Sequence, residues 1–341
     1  MLDRPEDAAT AHVDVLATVP GGNGQSSAEE YAVLSRAVWR LIAMMVMVVA
    51  LSFAALGLSI DIGSNVSLLA IGLAYVGLIW FYRRVRRDET IAWPLEAVGQ
   101  LFVVLFLGLL MTYAATATAL PYRDAELNAI DAWFGFDRHG FRKILQSVPG
   151  FADFLDLAYL SIQPQTAIIP FILVMTRQVP RLFRFVLALG ASLTMTSFIA
   201  VFLPAVSASI YIDLAPLREA GIPEGIHTHI PTLQALRSGA MTSIQLNNLE
   251  GLITFPSFHT AIAILFAWAV WRTPYVWFAG LVTNVLMILS TPLSGSHYVI
   301  DLAGGAVVAT IAIALASRVR CAAAQSAERT VFGKQPVAPV A

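Results

Sequence analysis

Charge is scarce in this chain. Only 13% of its 341 residues are Asp, Glu, Lys or Arg, where a soluble globular domain carries about 25%. Hydrophobic residues make up 57%, and the mean hydropathy is +0.72. Such a chain cannot cover itself with polar surface, so an integral membrane protein is expected. Lysine is nearly missing: Lys143 and Lys334 are the two present, so positive charge means arginine. The formal net charge of −1 argues against nucleic acid as a partner. A lone cysteine, Cys321, excludes an intramolecular disulfide and the cysteine-rich metal sites. No signal-peptide pattern precedes the first hydrophobic run.

What is present is a series of apolar runs near 20 residues, the length that crosses a bilayer as a helix. They fall at roughly 38–60, 66–82, 95–116, 154–175, 185–206, 257–272, 275–289 and 297–317. The expected fold is all-α: a polytopic membrane helical bundle of about eight transmembrane helices. Residues 1–35, with PGGNGQSS, read as a disordered cytoplasmic tail, 36–320 as the transmembrane catalytic domain, and 321–341 as a second disordered cytoplasmic tail. Arginines cluster after the second, fourth, sixth and eighth runs, and Arg36 and Arg40 flank the start of the first. The positive-inside rule puts all of these, and both termini, in the cytoplasm. The loops 120–150 and 207–254 then lie outside, together with the start of the sixth and eighth runs.

Two histidines stand at those outer starts. His259 is in FPSFHT, behind Ser257, a suitable N-cap whose helix N-terminus favours an anion. His297 heads the last run, and Asp301 follows four residues later, on the same helical face. A carboxylate at the centre of a membrane helix costs roughly 2.5–3.5 kcal/mol, less near an end, so an intramembrane Asp beside a His calls for a function. A lone interfacial His is ordinarily a packed ring; two at one face, one with an Asp partner, favour catalysis. Phosphoryl transfer through a covalent intermediate suits the set. A neutral imidazole attacks, a carboxylate fixes its tautomer, and a second imidazole protonates the leaving oxygen. A proton relay in a transporter uses the same pair, but no internal repeat is visible and the ionisable groups gather at one face.

Pro256-Ser257-Phe258-His259 followed by Ser290, His297 and Asp301 resembles the second and third motifs, P-S-G-H and S-R-x5-H-x3-D, of the type 2 phosphatidic acid phosphatase superfamily. The resemblance is concentrated in residues 236–305. It implies a lipid phosphatase or phosphotransferase acting on a lipid phosphoester at the membrane, with no cofactor, no metal and no implied oligomeric state. It further implies that His297 is the nucleophile, Asp301 its orienter, His259 the acid and Ser257 a phosphate ligand. Phe258 replaces the usual Gly, Thr291 replaces the third-motif Arg, and K-x6-R-P is absent. In these departures the chain looks more like the inositolphosphorylceramide synthase branch and its bacterial relatives, which implies transfer of a phosphoinositol headgroup and a bacterial cell membrane as location. An inactive member of the fold is the other reading of the lost cations. Arg237 is the first candidate to replace them, as a phosphate clamp, and Arg123 the second; Arg142 and Lys143 are weaker ones. His227-x-His229 has no third ligand nearby and reads poorly as a metal pair. GFDRHGF, after Trp133 and Phe134, reads as an amphipathic interfacial helix. Gly304 and Gly305 read as close helix packing, and Gln163-Pro164-Gln165 as a broken helix lining a cavity or packing.

Overall fold

A computed structural model describes residues 22–319, apart from 62, 64–65, 138–139, 142, 145–146, 212–228, 247–248 and 295–296. Eleven α-helices are present among the described residues: α1 Gly22–Leu56, α2 Val66–Trp80, α3 Glu89–Ala117, α4 Asp124–Trp133, α5 Phe151–Leu160, α6 Ile162–Met175, α7 Val179–Phe202, α8 Ile230–Arg237, α9 Phe258–Val270, α10 Trp277–Ser294 and α11 Val299–Arg318. Two short strands, β1 Ser59–Ile60 and β2 Ser243–Ile244, pair in parallel and tie one end of α1 to the loop before α9.

Every apolar run expected to be a span is helical, but not every one is a full crossing. Among the described residues, six helices have the length and composition to span a membrane. The α5–α6 pair makes a seventh if it is one span bent by 53°. Gln163-Pro164-Gln165 starts α6 just past this break, where a proline cannot continue the hydrogen-bond ladder from the preceding helix. The exception is α9, with 13 residues. At 1.5 Å per residue it is roughly 20 Å long, well short of a roughly 30 Å hydrocarbon core.

The central element is α7, which packs against α1, α3, α9 and α11. Its Phe183, Phe185, Val186 and Leu189 are fully buried. By contrast α2 buries no residue and turns apolar side chains outward all round. In water that would be a defect; in a bilayer the lipid tails are as apolar as the helix. Polar groups fasten α2 to its neighbours instead. Glu96 on α3 is buried and accepts hydrogen bonds from Ser35 and Trp39 of α1, and pairs with Arg83 in the π-helical turn Phe81–Val85 that ends α2. Arg83 also lies over the Trp93 ring at 4.1 Å.

The same end of the bundle corrects the N-terminal boundary. Helix α1 already begins at Gly22, so residues 22–35, assigned from sequence to the tail, are helical. Leu34 and Ser35 are buried there, and Glu30 pairs with Arg184 of α7 at 2.7 Å. The tail reading weighed polar composition and missed that one face of this stretch packs. Residues 1–21 and 320–341 lie outside the described residues.

Arg83, Arg181, Arg184 and Arg272 gather at this end, where α3 and α7 begin and α9 closes; Arg181 donates to the Trp268 carbonyl at 2.9 Å. The starts of α9 and α11 are therefore at the other end.

Candidate active site at the starts of α9 and α11

Helix α10 ends at Ser294, and His297 precedes Tyr298, which enters α11 in extended form. The His297 ring is 4% exposed and its Nδ1 lies 3.1 Å from Asp301 Oδ2. The same carboxylate oxygen accepts the Tyr298 backbone N–H at 2.9 Å. Asp301 is fully buried, so its charge is held by the imidazole and the first turn of its own helix. With Nδ1 engaged, the lone pair of a neutral His297 is on Nε2.

Helix α9 is set against this pair by backbone contact. Ser257 N–H donates to the Asp301 carbonyl at 3.0 Å, and Ser257 Oγ caps α9 by accepting from Thr260 N–H at 3.2 Å. Such an approach requires Gly305, where a Cβ would lie 2.3 Å from the Ser257 carbonyl oxygen. Gly304 makes room in the same way for Phe255 and Pro256. The small-residue reading of this pair therefore describes the packing that brings both histidine helices together.

His259 follows two residues after the cap, and its ring centroid is 6.3 Å from that of His297. Tyr159, near the end of α5, stacks on His259 at 4.1 Å with 14° between the planes. The Tyr159 hydroxyl is 3.3 Å from His259 Nδ1. A phenol donating there leaves the proton of neutral imidazole on Nε2. With Tyr159 as the donor and both imidazoles neutral, the two rings are complementary: one presents a lone pair at Nε2, the other an N–H. Tyr159 was missed in the sequence, because a single Tyr in an apolar run carries no local signal of a partner 100 residues away.

A second group was missed as well. The amphipathic helix α4 turns two buried carboxylates toward α11. Asp131 accepts Val299 N–H at 2.9 Å and Ile300 N–H at 3.1 Å, capping the helix that His297 leads into. Asp124 accepts the Tyr298 hydroxyl at 2.9 Å and the backbone N–H groups of Val206 and Ser207. Seven-residue spacing puts both on one helical face, and that spacing was the available clue. Among the described residues no ion pair joins Arg123 to its neighbour Asp124. Arg123 instead pairs with Glu126 at 2.9 Å, and that hydrogen bond holds the exposed Glu126 carboxyl below its usual range.

The two proposed clamps are not brought to the histidines. Arg237, at the end of α8, donates to the Leu120 carbonyl at 2.7 Å and lies over the Tyr122 ring at 3.8 Å. Among the described residues no hydrogen bond or ion pair joins Arg237 or Arg123 to His259, His297 or Asp301. Thr291 is buried, and its hydroxyl donates to the Met287 carbonyl inside α10. Lys143 is exposed; Arg142, His139 and His227 lie outside the described residues, so GFDRHGF is described only in part. His229 Nε2 is 3.3 Å from the Val206 carbonyl oxygen. Among the described residues, no group of three or more His, Cys, Asp or Glu is arranged to hold a metal ion. Gln165 accepts from Asn284 at 2.9 Å across α6 and α10, which is interhelical bonding of the kind that holds membrane helices together.

Comparison with known proteins adds one finding. A family model described as PAP2 superfamily matches residues 125–315, more than half of the chain, from the first turn of α4 into the last turn of α11. No curated protein and no solved structure gives a match.

Proposed function

The chain belongs to the PAP2 superfamily, and we propose that it acts on a lipid or polyprenol phosphoester through a phosphohistidine at His297, on the extracytoplasmic side of the membrane. The family supports a membrane phosphatase or phosphotransferase in general terms. The observation that carries the finer reading is the buried His297–Asp301 pair, at 3.1 Å, facing a second imidazole across 6.3 Å between ring centroids.

In the first step His297 Nε2 attacks phosphorus, the bond from phosphorus to the leaving oxygen breaks, and His259 gives that oxygen a proton. Asp301 stabilises the positive charge that develops on the His297 ring. In the second step water or an alcohol attacks the phosphohistidine, passes its proton to His259, and releases His297. Hydrolysis and headgroup transfer differ only in that second nucleophile. The FPSFHT and SGSHYVIDL forms favour transfer, with phosphoinositol as the group the resemblance suggests.

Phosphate oxygens in this reading are held at the first turn of α9, where the positive end of the helix dipole and the Ser257 O–H act together. Arg123 and Arg237 join only by leaving their present partners. The exposed Arg123–Glu126 pair is the easier to give up, since such pairs contribute about 0–1 kcal/mol. The arginines at the far end of the bundle support a cytoplasmic location for that end and an outer one for the histidines.

The test is to incubate protein purified in detergent with a lipid carrying labelled phosphate, quench in alkali, and look for acid-labile label on the chain. His297→Ala abolishes the label, and His259→Ala slows its formation and turnover. Absence of both label and product across a broad panel of lipid phosphoesters would refute the proposal. Solute flux that depends on Asp301 without turnover would point to a transporter instead.

A further inference from the structure

A large cavity lies away from the histidines. It lies at the arginine end, between α3 and α6 and beside the starts of α1 and α7, with a volume of about 1100 Å³. Its walls are shaped by two prolines, Pro94 in α3 and Pro170 in α6, each of which removes a helical hydrogen bond. The inner wall is apolar, with Val98, Phe102, Phe171 and Val174. Phe102 and Phe171 are more than half exposed, so the cavity opens sideways toward lipid. Its rim is polar and carries one acid, Glu89, and one base, Arg177. Both are exposed, and among the described residues neither is within ion-pair distance of a partner, although the Arg83 charge acts on Glu89 from the end of α2.

Length, polarity and charge agree on one class of occupant. Along α3 the lining runs from Glu89 to Phe102, roughly 20 Å at 1.5 Å per residue. A single leaflet supplies about half of a roughly 30 Å hydrocarbon core, so headgroup and chains of one lipid fill that depth. We propose that this cavity binds one phospholipid with a zwitterionic headgroup, its phosphate at Arg177, its ammonium at Glu89 and its chains along the Phe102–Phe171 wall. An anionic lipid satisfies Arg177 and is opposed by Glu89, which is the source of selectivity. The site is at the opposite end of the bundle from the histidines, so it is a structural or regulatory lipid site, independent of the catalytic proposal.

The test uses the full chain in a mild detergent, titrated with phosphatidylethanolamine or phosphatidylglycerol of identical chains. Thermal unfolding reports stabilisation, and native mass spectrometry counts bound lipid. Phosphatidylethanolamine is expected to raise Tm saturably with one lipid bound, and phosphatidylglycerol to bind at least tenfold more weakly. Glu89→Arg and Arg177→Glu each weaken phosphatidylethanolamine binding roughly tenfold, the loss of one charge-assisted contact. The double exchange recovers most of that loss, which separates headgroup recognition from damage to the fold. Equal binding of both lipids, or wild-type affinity in both single variants, would overturn the proposal. So would phosphatidylethanolamine binding that appears only after deletion of residues 1–21, because that segment would then be the occupant.

Discussion

Gly305→Ala is the smallest change that tests how the site is built. The added methyl would sit 2.3 Å from the Ser257 carbonyl oxygen and 3.0 Å from Thr260 Cβ, and the first of these is backbone that cannot swing away. Ordinary van der Waals contact begins near 3.4 Å, so α9 and α11 must separate by about 1 Å, a displacement that can cost on the order of a hundredfold in rate when it misplaces reacting groups. Separation stretches the Ser257 N–H to Asp301 carbonyl bond and moves His259 away from His297. Overpacking of this kind costs typically 1–3 kcal/mol of stability. Gly77→Ala is the control: it lies within α2, a Cβ there meets nothing within 4 Å, and alanine is the better helix former. Phosphate release measured beside thermal unfolding in the same detergent decides the matter. Gly305→Ala is expected to lose about a hundredfold in kcat with a modest fall in Tm, and Gly77→Ala to lose neither. Wild-type kcat in Gly305→Ala would refute the claim that helix contact sets the spacing of the two imidazoles.

Three further changes probe the groups around the rings. Asp131→Asn keeps one oxygen for the α11 amides but removes the charge that complements the helix N-terminus; a loss of about 1–2 kcal/mol is expected, read as a lower Tm, with kcat falling because His297 stands just before the capped turn. Tyr159→Phe keeps the stack on His259 and deletes its hydroxyl, so Tm should hold while kcat drops several-fold; unchanged kcat would remove Tyr159 from the mechanism. Arg237→Ala separates a clamp from a brace: engaged as it is by Leu120 and Tyr122, it should lower Tm by a few degrees at unchanged KM, whereas a large rise in KM would restore the phosphate-clamp reading.

The legible parts of this molecule are those whose physics is local in sequence. An apolar run of 20 residues announces a membrane helix because its own length and composition determine whether the bilayer accepts it. His297 and Asp301 are four apart, so one turn of helix is enough to predict their contact, and the 3.1 Å bond is there. Ser257 is legible for the same reason, since a cap acts within its own first turn. Where contact depends on tertiary placement, the pattern fell short. The helical character of residues 22–35 rests on Glu30 meeting Arg184 and on Leu34 meeting the core, neither of which composition can report. The crossing expected at 257–272 is only 13 residues of helix, because the cap at Ser257 and the turn at Trp271 close it at both ends.

The carboxylates of α4 show what the sequence reading undervalued. Asp124 and Asp131 stand in an amphipathic stretch with exposed Trp133 and Phe134, and from sequence alone such a stretch is explained well enough by anchoring at a membrane surface. Anchoring accounts for the outer face alone. An interfacial helix has an inner face too, and two Asp residues seven apart on that face are costly to bury unless hydrogen-bond donors meet them. The donors most in need of partners nearby are the free amides at the start of a membrane helix, and α11 supplies them at Val299 and Ile300. Tyr298, next to His297, supplies a third through its hydroxyl. Helix α4 therefore fixes the turn that follows His297, and the acidic spacing on an otherwise surface-seeking helix was the signal that it did more than anchor.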